Sequence, residues 1–118
     1  MIDKSNPDKS KFFDLAQIDP KRHTKIREHL LWEFDLEKFD YEKGKSIVVE
    51  RVVQRGNMDD WLTIFHLYGY HEVREQIKDI PYLNATDMNF VHRVFEIPLK
   101  ELRSYRKNQE LTFRFWEH

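Results

Sequence analysis

Three groups of residues in this chain have types and spacings that could do chemistry. The first is His71-Glu72-Val73-Arg74-Glu75, half of the HExxH arrangement. That motif needs two imidazoles one helical turn apart to hold zinc, with the glutamate as base. Glu75 stands where the second imidazole belongs, and the run reads as the start of an amphipathic helix. His66 and His92 fall on other predicted helices, and no spacing makes them converge on His71. No metal site is expected. The second group is Glu33, Asp35, Glu37, Asp40 and Glu42. Paired carboxylates can do acid–base work or bind a cation. The calcium-loop spacing, with glycine sixth and glutamate twelfth, is absent. Capping and solvated charge account for most of these residues, and an acidic patch meeting a basic partner is the functional reading.

The third group is basic: Lys21-Arg22-Lys25-Arg27, and Lys100-Arg103-Arg106-Lys107 with Tyr105 inside it. Cations with an interleaved aromatic can hold phosphates and stack on bases. Yet Lys+Arg (20) and Asp+Glu (21) nearly cancel over the 118 residues. Nucleic-acid binding through charge alone needs a net basic surface. The glycines are scattered at 44, 56 and 69, so there is no phosphate loop. None of the four serines has a nucleophile elbow around it, and cysteine is absent. An enzyme is the least supported class: no catalytic residue and no cofactor is expected.

These groups must be positioned by helices. Nine Phe, five Tyr and three Trp supply core material despite 35% charged residues. Residues 1–18 read as a flexible arm whose apolar cluster is Phe12, Phe13 and Leu15. Residues 19–118 read as one helical domain. Asp19-Pro20 has the form of a cap and first helical residue, with His23, Ile26 and Leu30 following at helical spacing. Residues 46–55 are rich in valine and resemble a strand. Periodicity decides otherwise: at helical pitch Val48, Val49, Val52 and Val53 share an arc of about 140°, with Glu50, Arg51, Gln54 and Arg55 opposite.

Gly56 suits a left-handed C-cap and Asn57 the cap of the next helix. Met58, Trp61, Leu62, Phe65 and Tyr68 then keep helical spacing as far as Gly69. Val73, Ile77 and Ile80 mark a further helix that Pro81 ends. Asn84 or Thr86 starts another, with Met88, Val91 and Phe95 inward, closed by Pro98. In the last eight residues Leu111, Phe113 and Phe115 alternate with Thr112, Arg114 and Trp116, which predicts an extended segment. The architecture expected is all-α, a compact bundle of five or six short helices with Trp32, Trp61, Phe65, Phe90 and Phe95 in its core.

The residues from Trp32 onward resemble a small bacterial family of unknown function. The resemblance rests on Trp32 and Asp35, Asp40 and Lys43, Glu50-Arg51-Val52, Gly56-Asn57 and Asp60-Trp61. It continues through Leu83, Asn89-Phe90 and Ile97-Pro98, and covers about Leu31 to Trp116, with Asp87 where threonine is commoner. Genes of that family often lie beside nucleotidyltransferase-like toxin genes, which implies an antitoxin or accessory role. It implies no catalytic residues.

The function expected is therefore a non-enzymatic protein-binding module, antitoxin-like toward a nucleotidyltransferase toxin. Its contacts would come from Glu33, Asp35 and Glu37, or from Phe113, Phe115 and Trp116 adding a strand to a partner's sheet. The alternative is a small helix-turn-helix-like DNA-binding regulator built on the helices around Pro81. There Asn89, His92 and Arg93 would face the groove, with Arg103, Arg106 and Lys107 on phosphates. No apolar run approaches the roughly 20 residues that span a bilayer, and the start of the chain lacks a signal-peptide centre. A cytoplasmic protein with no membrane contact is expected.

Overall fold

The computed structural model describes the backbone of residues 12–117 and the side chains of residues 12–111. Five α-helices follow in order: α1 (Lys45–Arg55), α2 (Met58–Tyr68), α3 (Tyr70–Lys78), α4 (Ala85–Val94) and α5 (Arg103–Glu117). Among the described residues there are also three 3-10 turns, Leu15–Gln17, Glu28–Leu31 and Leu99–Glu101, and no strand. The fold is all-α.

The valine run is helical. Val48, Val49, Val52 and Val53 are all buried on α1, which packs against α2, α3 and the Glu28–Leu31 turn. β-branched residues lose side-chain freedom in a helix, so burial against α2 and α3 is what holds them there. Asn57 then starts α2 with a reciprocal capping box: its side chain accepts from the Asp60 N–H at 2.9 Å, and Asp60 accepts from the Asn57 N–H at 3.0 Å. Gly69, at φ 88°, joins α2 directly to α3. At Glu96 (φ 54°) the chain leaves α4, and Arg74 of α3 donates to the Phe95 and Glu96 carbonyls, both at 2.9 Å. Those two bonds satisfy carbonyls that the ending helix would otherwise orphan.

Four expectations need correction. Gly56 does not adopt a left-handed cap: its φ and ψ are −75° and 153°. A side chain is excluded there by space, since a Cβ would lie 2.7 Å from the Val52 carbonyl oxygen and from its Cγ1. Residues 19–31 do not form a continuous helix. Lys21 N–H bonds back to the Asp19 carboxylate at 3.0 Å, and Asp19 N–H donates to His23 Nδ1 at 2.8 Å, closing a local turn. The chain is then extended at Arg27 before the Glu28–Leu31 turn.

Trp32 is not in the core; it is 76% exposed. The C-terminal residues are not extended either, since α5 runs unbroken through Glu117. Alternation over six positions is too short to outweigh a helix already propagating from Arg103. Ser104 anchors that helix, accepting from the Leu83 N–H at 2.8 Å and donating to the Leu83 carbonyl at 3.3 Å.

The core is aromatic at its centre. Trp61, Phe65 and Phe95 are buried as expected, and Phe90 packs partly buried at the edge. Phe13 lies among them with no exposed surface, so the segment from Phe12 is packed into the body. Residues 1–11 of the expected arm lie outside the described residues.

Candidate partner-binding surface

Trp32 is displayed because its neighbours are held. Leu30 and Leu31 are buried in the 3-10 turn, which uses up the inward positions and turns Trp32 outward. Arg51 of α1 then fixes both sides of it. One guanidinium nitrogen donates to the Leu30 carbonyl at 2.8 Å and to Glu33 Oε1 at 3.0 Å; the other bonds Glu33 Oε2. A bidentate arginine–carboxylate pair adds directional constraint as well as charge. Trp32 therefore sits on a short backbone segment clamped at 30 and at 33.

Around it lies a hollow of about 330 Å³ lined by Leu31, Trp32, Phe34 and Leu36, with Glu28, Asp35 and Glu37 among the lining residues. A second hollow of about 360 Å³ shares Phe34 and Asp35 and continues past Phe39 to Ile47. The segment between them is knitted by aromatic edges: Phe34–Phe39 centroids are 5.2 Å apart and Phe39–Tyr41 5.1 Å. Tyr68 of α2 donates to the Tyr41 carbonyl at 2.7 Å and so ties the segment to the body. Asp35 and Asp40 cap turns, accepting from the N–H groups of Glu37, and of Glu42 and Lys43, respectively.

Asp35 and Glu37 line the hollow beside Trp32, whereas Glu33 lines neither hollow, and the carboxylates are in different states. Glu33 is consumed by Arg51, whereas Glu37 is exposed with its carboxylate unbridged among the described residues. Trp32, expected in the core, instead lines this hollow. Its flanks held the signal: after two consecutive leucines, a third large apolar residue followed by Glu33 has no inward position left on a short turn.

The other expected contact residues lie elsewhere. Phe113, Phe115 and Trp116 belong to α5, whose helical backbone offers no free strand edge, and their side chains lie outside those described. Asn89 and Arg93 are exposed one turn apart on α4. His92 is partly buried, and its Nδ1–H donates to the Ile97 carbonyl at 2.7 Å, so this ring serves the end of α4. Arg103 donates to the Asp79 carbonyl and Arg106 to the Lys100 carbonyl. Lys107 is exposed. α3 packs chiefly on α1 and α2 rather than on α4. Among the described residues no group of three or more His, Asp or Glu is placed to hold a metal ion. No helix among them is long and apolar enough to cross a membrane.

The Arg51 hydrogen bonds hold the Glu33 carboxyl down at about 2, from an ordinary 4.5. A depressed folded pKa adds stability that is complete above the unfolded value and lost as pH falls through the folded one. The relevant window is therefore between 4.5 and about 2. In urea denaturation, Glu33→Gln is expected to be less stable than the parent by a constant gap above about pH 5. That gap should close as the pH is lowered through the window. A gap unchanged near the bottom of the window would show that the pair contributes nothing.

Comparison with known proteins supplies one match. Residues 26–77 match DUF6922, a family of unknown function. No curated protein and no solved structure matches the chain. The match begins at Ile26, just before the Trp32 face, and ends at Ile77 in α3. It therefore takes in the displayed tryptophan, the Arg51 clamp and the α1–α3 core. The resembling residues beyond it, Leu83, Asp87, Asn89-Phe90 and Ile97-Pro98, lie outside the matched stretch.

Proposed function

We propose that this protein is a non-enzymatic, cytoplasmic binding module whose contact surface is the Trp32 face, and that its partner presents a basic segment there. The observation that carries the reading is Trp32 itself, a clamped and exposed indole beside a hollow lined by Leu31, Phe34 and Leu36 together with Glu28, Asp35 and Glu37. Tryptophan is enriched among the few interface residues that dominate binding energy, and carboxylates around it select for lysine and arginine. An indole face also attracts those cations directly.

Trp32→Ala tests this. Removing so exposed a side chain is expected to change folding stability by no more than about 0.5 kcal/mol. Affinity for a lysine- and arginine-rich amphipathic peptide, followed by NMR titration, is expected to fall about 30-fold, the size of an interface hot spot. Equal binding by the variant would remove Trp32 as the contact.

The narrower reading, an antitoxin-like partner of a nucleotidyltransferase toxin, is supported by the gene neighbourhood of the family that the sequence resembles. Co-purification with the product of the adjacent gene tests it. A protein that stays monomeric when mixed with that product would remove this identity and leave the Trp32 surface to be tested with other basic partners. The DNA-binding reading has less support, since Arg103 and Arg106 are engaged with backbone carbonyls.

A further inference from the structure

The chain has two Asn-x-x-Asp caps, and the folded protein uses them differently. At α2, Asp60 reaches back to the Asn57 N–H and closes the capping box. At α4, Asn84 accepts from the Asp87 N–H at 2.7 Å, but the Asp87 carboxylate does not return the bond. Asp87 instead lines a hollow of about 300 Å³ between the start of α2 and the start of α4. Its other walls include Phe12, Met58, Trp61 and Phe90. Phe12 and Phe90 meet edge to face with centroids 5.2 Å apart, and Trp61 lies 5.9 Å from Phe90, so the rings form a corner rather than a flat stack.

Among the described residues no donor or cation meets the Asp87 carboxylate, although it is partly buried. Burial pushes its pKa up, and no neighbouring charge lowers it. A lone carboxylate beside three aromatic rings and a thioether is complementary to a cation with apolar substituents. Rings attract such cations through their electron-rich faces, as aromatic cages for quaternary ammonium groups do. The volume lies at the lower end of the range for small-molecule pockets, too small for a helix or a nucleotide-sized ligand.

We propose that this hollow binds a small organic ammonium ion, its alkyl groups lying against Phe12, Trp61 and Phe90 and its charge met by Asp87. The site shares no residue with the Trp32 face, so either can fail without the other. Choline is a suitable probe, and 3,3-dimethylbutan-1-ol is its neutral counterpart of the same shape. Added to the isotope-labelled protein, choline is expected to shift the Trp61 indole N–H and the Gly56, Asn57 and Asp87 amides, saturating by roughly 50 mM as suits so small a ligand.

The neutral alcohol is expected to bind at least about tenfold more weakly, because it lacks the charge that both rings and carboxylate recognise. Asp87→Asn, which keeps the size of the side chain at an exposed helix start, is expected to weaken choline about tenfold while leaving the spectrum otherwise that of the folded protein. Equal binding of choline and the alcohol would make the hollow a plain apolar slot and overturn the proposal. So would choline binding that Asp87→Asn leaves unchanged, or the absence of any shift in the parent protein. The choline–alcohol comparison uses the parent protein alone, so it decides the matter even if the variant folds poorly.

Discussion

Replacing Phe13 with alanine is expected to destabilise the fold by about 3–5 kcal/mol, the range for deleting a buried phenylalanine ring. Phe13 has no exposed surface, and its ring centroid lies 4.9 Å from Trp61, 5.0 Å from Phe65 and 5.9 Å from Phe95. Those three rings are mounted on α2 and at the end of α4, and they touch one another as well as Phe13. They cannot close on the vacated space without shifting their helices, so the cavity term adds to the lost transfer energy. Domains of this size have total stabilities of roughly 5–15 kcal/mol, which makes one side chain ahead of the first α-helix a third or more of a modest total.

Urea denaturation is the measurement. The midpoint should fall, with little change in the slope, because the folded state stays compact. Phe12→Ala is the internal control, since Phe12 is half exposed and should cost far less. A Phe13→Ala loss below about 1 kcal/mol would mean that the segment packs on the body without helping to hold it.

What could be read ahead in the sequence was whatever is decided within about one helical turn. The valine arc of α1, the Asn57 cap, the Gly69 break and the Pro81 stop each depend on residues three or four apart, and each is present in the fold. The misreadings lie where distant residues decide. Asp19-Pro20 is a sound local helix start, but Asp59 and Asp60, more than thirty positions away, bind Arg22, His23 and Arg27 and hold that stretch in turns instead. Size and apolarity alone put Trp32 inside, whereas its orientation follows from the neighbours, Leu30 and Leu31, that occupy the inward positions. The candidate surface was legible as charge, through Glu33, Asp35 and Glu37. Its centre was not, and neither was the loss of Glu33 to Arg51, which depends on a contact across 18 positions. The Asp87 hollow was illegible for a related reason: two identical Asn-x-x-Asp spacings give no local sign that only one closes its box.

Asp60→Ala is expected to cost about 3–5 kcal/mol as well, through a different mechanism, the removal of the one acceptor that two backbone N–H groups share. Asp60 is 2% exposed and accepts three hydrogen bonds: from Arg27 Nε at 2.8 Å, from the Arg27 N–H at 3.2 Å and from the Asn57 N–H at 3.0 Å. Its loss orphans two backbone donors, and each unsatisfied buried group carries a desolvation cost of about 1–3 kcal/mol; the Arg27 guanidinium keeps solvent and the Arg55 carbonyl. Arg27→Ala should cost less. Arg27 is partly exposed, and without its side chain Asp60 still accepts from both backbone N–H groups. The ordering Asp60→Ala worse than Arg27→Ala is therefore the specific expectation, measured by urea denaturation of both variants; the reverse order would mean that the guanidinium, rather than the backbone, is the partner that matters. A further consequence reaches the surface. Arg27 is the residue at which the chain enters the Glu28–Leu31 turn, and that turn leads directly to Trp32. Asp60 thus fixes the start of the segment whose end Arg51 clamps. Where Asp60→Ala remains folded, in the cold and without denaturant, its affinity for the basic peptide should fall although Asp60 itself lies too deep to touch a partner. Unchanged peptide affinity in the folded variant would mean that the Arg51 clamp alone sets the position of Trp32.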